Sequence, residues 1–275
     1  MQLKPVTAAS GYLWFRQGIS TFRRNPLIFI TLFFAYLFAM RLISLPPVIG
    51  YGLLMLIIPG VSVGFLAASR DVLEGKTAFP TVLISGFRAH GPVAARRLLV
   101  LGVAYFVAIC AVFAISALAD GGVLAQLVLF GNSPSDDAVQ QAGPDAAVLL
   151  SLLAYLPVAM MFWFAPILVA WHDIAPHKAL FFSWMVCWRN KTAFIVYGLL
   201  WLAFTMAISL VVTLLLQLAG AGTTGLLVLM PLSAVITAVL YCSFYATYRG
   251  CFETEGPPMP EIGSKPGPKA GPKAG

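Results

Sequence analysis

His172, Asp173 and His177 form the one cluster in this chain with residue types suited to holding a metal or passing a proton, and His90 is the only other imidazole that could join them. A metal site needs three or four ligands that converge with good geometry. His172 and His177 stand five positions apart, so they do not share a helix face, and Pro176 lies between them. The cluster therefore reads as a hydrogen-bonding group near a membrane surface, with no metal expected. Two lines of polar residues are more regular. Thr205, Ser209, Thr213 and Gln217 recur every four residues, as do Ser233, Thr237 and Tyr241. That spacing keeps side chains on one slowly winding helix face. Such a seam either admits a substrate head group or water, or ties helices together at about 0.6 kcal/mol per side chain. Cys110, Cys187, Cys242 and Cys251 form no C-x-x-C pair and read as small apolar residues. There is no G-x-S-x-G, no H-E-x-x-H and no phosphate-cradling glycine loop with its lysine. No catalytic residue and no cofactor are expected.

The segments that must position these residues suit a membrane. Hydrophobic residues make up 60% of the chain and charged residues 10%, against roughly a quarter charged in ordinary soluble domains. Apolar runs at 27–45, 48–68, 98–118, 147–171, 193–218 and 225–248 are each long enough to cross a hydrocarbon core about 30 Å thick. The expected fold is all-α, a polytopic helix bundle of six spans in one domain, 1–252. Residues 253–275, rich in Gly, Pro and Lys, cannot bury enough apolar area to order themselves and read as a disordered tail. Six crossings bring both ends to one side. Threaded this way, 16 of the 17 Lys and Arg residues lie on that side, and only Arg41 lies on the other. Basic loops resist translocation, so the crowded side is the cytoplasm. Bases that hug span ends fit anionic head groups rather than a nucleic acid. The spans contain no Asp, Glu or Lys, which argues against proton coupling through the core.

The chain also reads as one unit used three times, a surface helix followed by a transmembrane hairpin. Each surface helix ends in an aromatic residue and an arginine: Phe22-Arg23, Phe87-Arg88 and Trp188-Arg189. In the first, Tyr12, Phe15, Ile19 and Phe22 recur at three- and four-residue spacing, as in an interfacial amphipathic helix. The first span of each pair has no internal proline, whereas the second spans carry Pro59, then Pro157 and Pro166, then Pro231. Proline kinks a helix and frees a carbonyl that neighbours must satisfy, so the second spans are expected to be the inner, bent helices. Gly60, Gly64 and Ala68 make a small-residue face for close approach.

Trp14, Arg16, Phe22, Arg23, Arg24, Phe87, Arg88, Trp171, Trp184, Trp188 and Arg189 gather at the inner interface as a candidate rim for lipid or protein contact. Phe22 to Pro26, Pro47 to Gly50, Phe164-Ala165-Pro166, Trp171-His172, and Leu180 to Ser183 continuing to Asn190 carry a resemblance. In these residues the chain resembles an uncharacterised family of six-span inner-membrane proteins from beta-proteobacteria. More distantly, the three-pair plan is similar to the membrane domain fused to some glycerophosphodiester phosphodiesterases. The resemblance implies an inner-membrane address and supplies no catalytic residue. The expected function is that of a non-catalytic protein that interacts with anionic lipid or organises a membrane-protein partner. The alternative is a small permease-like carrier of an amphipathic solute along the polar seam.

Overall fold

A computed structural model describes residues 4–46, 49–123, 125–126, 144–220 and 226–252. The tail 253–275 and most of the apolar outer stretch 123–130 lie outside them. Among the described residues the regular structure is helical. α1 (Ala9–Arg24) ends in two bases, which suit the negative end of its dipole. Asn25 breaks it and starts α2 (Pro26–Ile43), accepting the Ile28 N–H at 3.3 Å, with Pro26 at the first helical position. α3 (Ile49–Leu73) follows. A 3₁₀ turn, Pro80–Ile84, then runs into the single-turn α4 (Ser85–Arg88). The second surface segment is thus less helical than its spacing suggests, because Thr81, Val82 and Ile84 are β-branched and the segment is short. α5 (Gly91–Asp120) is closed by Gly121 in the left-handed region, φ 62°. α6 (Pro144–Phe162), α7 (Ala165–His172), α8 (Pro176–Arg189), α9 (Lys191–Leu218) and α10 (Leu226–Cys251) complete the chain.

Six helical stretches are long and apolar enough to cross a membrane. Helix ends overshoot the apolar runs: α5 begins at Gly91, ahead of Arg96 and Arg97, because charges at a helix start do not stop helical hydrogen bonding. The two ends of the bundle's chain meet. The Lys4 N–H donates to the Cys251 carbonyl at 3.0 Å, and the Val6 N–H to Asn190 Oδ1 at 3.1 Å.

Two of the three returning spans are more enclosed than the outgoing ones, whereas the fourth span, 147–172, is 17% buried, within their range. Stretches 50–73 and 231–251 are each 56% buried, against 17, 22 and 6% for the outgoing spans. The fourth span divides. It breaks at Trp163 and Phe164, between α6 and α7, and every residue from Ala165 to Ala170 is buried. Pro166 cannot donate a hydrogen bond, and the groups freed at the break find a partner on α8. Ser183 Oγ accepts the Phe164 N–H at 2.9 Å and donates to the Met160 carbonyl at 2.7 Å.

Each surface segment docks on a returning span. The Pro80–Arg88 segment packs on α3, where Gly64 faces the Leu83 backbone at 2.6 Å from an ideal Cβ and Phe87 lies over Gly60. α8 packs on α6 and α7, and α1 packs on α10 and α9. α1 is the deepest contact. Its buried stripe is Gly11, Trp14, Gly18 and Thr21, not the aromatic face that periodicity suggests. Tyr12 is exposed, while Phe15, Ile19 and Phe22 flank the stripe. The reason is steric: Gly11 meets the Ala193 backbone of α9 and Gly18 meets Ser243 of α10, which larger residues would prevent. α1 stands between the ends of α9 and α10, and those two helices barely touch each other.

Gly18→Val should therefore lower the unfolding temperature of the detergent-purified chain. Ser243 Cα lies 2.9 Å from an ideal Cβ at this position, and overpacking of this kind costs about 1–3 kcal/mol. Gly198→Val, on the open face of α9, should change it little.

Candidate functional site

The candidate rim divides when its side chains are placed. Trp14 is only 2% exposed. Its ring sits 5.3 Å from that of Phe194 and 6.2 Å from that of Tyr197, so it belongs to the core rather than to a contact surface. Gly250 on α10 leaves room for it. Phe22 stacks on Phe29 at 6.2 Å and Phe87 covers Gly60, so both hold their surface segments in place. Trp171 is half-buried under the Arg70 guanidinium, 4.8 Å from its ring. Trp188 turns outward, 55% exposed, and stacks in parallel on Trp184 at 5.9 Å with Lys191 Nζ 5.0 Å above it. The arginines of the rim remain available. Arg16, Arg23, Arg24, Arg88 and Arg189 are exposed, as is Arg96. Among the described residues none of these six forms an ion pair. The pairs that do form use Arg97 with Asp173, Lys76 with Glu74 at 2.6 Å, and Arg70 with Asp71 at 3.7 Å. The Lys76 ammonium holds the Glu74 carboxyl below the usual range.

The histidine group disperses. His172 Nε2 lies 2.7 Å from Tyr248 Oη. Asp173 takes a left-handed backbone, φ 54°, and gives its carboxylate to Arg97. Burial lowers the pKa of His90 below its usual value. Among the described residues no three metal-binding side chains converge. Cys187 is buried, and burial pushes its thiol pKa upward, away from the reactive thiolate.

Two hollows lie at membrane depth. One, of about 280 Å³, sits where the returning spans approach one another. Pro59 and Ser62 of α3, Tyr105 of α5, Tyr155 of α6, Pro166 of α7 and Tyr241 of α10 line it. Tyr105 stands against Tyr155, and Tyr36 of α2 against Tyr241. The Ser62 hydroxyl is turned back to the Pro59 carbonyl at 2.8 Å. Of the seam residues only Tyr241 reaches this hollow. Inspection of the sequence passed over Tyr36, Tyr105 and Tyr155, since a phenol within an apolar run was their only signal and they sit on three helices.

The second hollow, of about 510 Å³, is the groove between α9 and α10. It gathers four seam residues from the two helices: Thr205 and Ser209 on one wall, Ser233 and Thr237 on the other. Thr213 and Gln217 lie farther along α9 and do not line it. Thr237 Oγ1 donates to the Ser233 carbonyl at 2.8 Å, the usual way to satisfy a hydroxyl on a membrane helix.

Trp14→Ala should destabilise the purified chain by about 3–5 kcal/mol, as for other buried aromatics. Trp188→Ala should change stability by less than about 0.5 kcal/mol, as for other surface positions. Chemical or thermal unfolding in one detergent would compare them.

Over residues 13–252 the chain matches the model of a family described as a domain of unknown function, DUF7847. It is 56% identical over 265 residues, covering 95% of this chain and 98% of the relative, to a "probable inner membrane protein" of Burkholderia thailandensis. No solved structure matches it significantly.

Proposed function

The chain belongs to the DUF7847 family, and on that footing we propose that it is a non-catalytic inner-membrane protein whose basic rim holds anionic lipid head groups on the cytoplasmic side. One observation carries this function. Exposed Arg16, Arg23, Arg24, Arg88, Arg96 and Arg189 lie on the face where the surface helices dock, without carboxylate partners among the described residues. A base near an anionic surface contributes about 1 kcal/mol, and guanidinium groups match phosphate oxygens in pairs. The buried ends of the surface segments keep those bases at a constant depth. Phe22 and Phe87 face inward, so Arg23 and Arg88 beside them are left at the surface. The outward Trp184–Trp188 stack gives the same layer an aromatic anchor. We also propose a distant similarity of the three-pair plan to the membrane domain of glycerophosphodiester phosphodiesterases.

Arg23→Gln, Arg88→Gln and Arg189→Gln together should weaken retention of phosphatidylglycerol in a native mass spectrum. At about 1 kcal/mol per base the loss is up to about a hundredfold at low salt, and smaller at high salt. Equal retention by the triple variant and the parent would remove the rim from the proposal.

The proposed orientation has its own check. Green fluorescent protein fused after Gly275 should fluoresce in intact cells, and alkaline phosphatase at the same place should be inactive. The reverse pattern would put the bases outside.

A further inference from the structure

We propose that the ends of the three returning spans, on the face where the surface helices dock, form a socket for one phosphate group. Arg70 and Arg249 hold it from two sides, and the Trp171 indole N–H is a further donor. The socket lies inward of the arginine rim, shares only Trp171 with it, and does not depend on the rim binding lipid.

Placement comes first. Arg70 stands in the last turn of α3, Arg249 in the last turn of α10, and Trp171 next to the end of α7. The Arg70 guanidinium lies 4.8 Å from the Trp171 ring, and that ring lies 6.4 Å from the ring of Tyr245. Arg249 donates to the buried Tyr245 phenol, and Arg70 is close enough for its charge to act on the same group. Three spans that are far apart in the chain therefore bring two guanidinium groups and an indole to one point.

Unmet hydrogen bonding is the second argument. Among the described residues six buried side-chain nitrogen or oxygen atoms lack a partner, and three of them are Trp171 Nε1, Arg249 Nη1 and His90 Nδ1. The Arg70 charge also acts on His90, just ahead of α5, so all three surround the same pair of arginines. Trp171 Nε1 and Arg249 Nη1 can only donate, and a buried donor left unpaired is costly. What they lack is an acceptor. Bases in the last turn of a helix often serve its free carbonyls, but Arg249 Nη1 reaches none.

Charge and shape select the ligand. Asp71 pairs with Arg70 at 3.7 Å, and Glu74 is taken by Lys76 at 2.6 Å. Arg249 forms no ion pair among the described residues. The place thus keeps a positive excess, which calls for an anion. Guanidinium forks match phosphate oxygens in pairs, and donors arriving from three helices suit a tetrahedral set of oxygens better than a flat carboxylate. An anion here also favours the imidazolium form of His90, which adds a donor. The Arg70 side chain is 41% exposed, so it forms the outer wall and can swing aside to admit the group. The phosphate belongs to a lipid head group or to a soluble phosphate ester, and the two share this chemistry.

The test uses the full chain in detergent, with Arg23→Gln, Arg88→Gln and Arg189→Gln as background so that the rim contributes nothing. Dihexanoyl phosphatidylglycerol, glycerol 3-phosphate and sodium phosphate are titrated separately at one ionic strength, and thermal stabilisation and native mass spectra are read. One equivalent of a phosphate-bearing probe should bind, and dihexanoylglycerol, which has no phosphate, should not. Arg249→Gln should weaken binding at least tenfold. Trp171→Phe keeps a ring under Arg70 but removes the N–H, and should weaken binding about threefold. It decides alone if Arg249→Gln does not fold. Tighter binding of the lipid than of the soluble probes would make the membrane the source, and binding of the soluble probes at equal strength would make it a phosphate ester. Absence of a saturable equivalent in the rimless background, equal binding of dihexanoylglycerol, or full affinity in Trp171→Phe and every folded Arg249 variant would each overturn the proposal. A failed rim is told apart, because parent and rimless chains would then bind the lipid alike.

Discussion

A helix that puts two glycines on its buried face determines how this bundle is arranged. Gly11 and Gly18 let α1 lie backbone to backbone against α9 and α10, and Trp14 fills the space that Gly250 leaves on α10. Because α1 takes the place between the ends of α9 and α10, those helices cannot close on each other along their length. α9 is left 6% buried, the most exposed of the six membrane-crossing stretches. Among the described residues its buried positions, Ala193, Tyr197 and Trp201, all lie toward the end where α1 sits. Tyr197 anchors it further, its hydroxyl 2.5 Å from Ser243 Oγ. The groove farther along is the consequence of that single insertion.

Backbone satisfaction imposes the second constraint. A membrane interior offers no water to bond freed peptide groups, so a break in a span needs a partner nearby. The break at Trp163–Phe164 is tolerable because Ser183 arrives from α8 to take both a donor and an acceptor. The Trp163 indole N–H finds Thr247 at 3.1 Å.

Charge is arranged with equal consistency. Bases that carry structural duties, such as Arg70 on Trp171 and Arg97 on Asp173, are partly covered. Bases on the outer side of the surface segments are exposed and, among the described residues, form no ion pair, though Arg16 lies over the Tyr12 ring of its own helix. In each segment the residue just before the aromatic, Thr21, Gly86 or Cys187, is buried, which turns the arginine two places on toward the water. In the proposed function, lipid phosphate is the counter-charge of that edge.

Much of this was legible in the chain itself. Apolar length and the lack of buried charge determined six crossings, because a hydrocarbon core accepts only long runs of satisfied helix. Proline placement matched enclosure in α3 and α10 but not in the fourth span, which is 17% buried despite Pro157 and Pro166. Spacing of four identified the hydroxyl line, because it follows the helix surface. What spacing could not show is which residues on different helices meet. Trp14 and Trp188 look alike in sequence, yet one faces Gly250 and the other the membrane surface. Tertiary packing alone decided that Thr205 and Ser209 share a groove with Ser233 and Thr237 while Thr213 and Gln217 do not. The physical reason is that helix position depends on how closely two backbones can approach, and that distance is settled by glycines far along the chain from the residues they bring together.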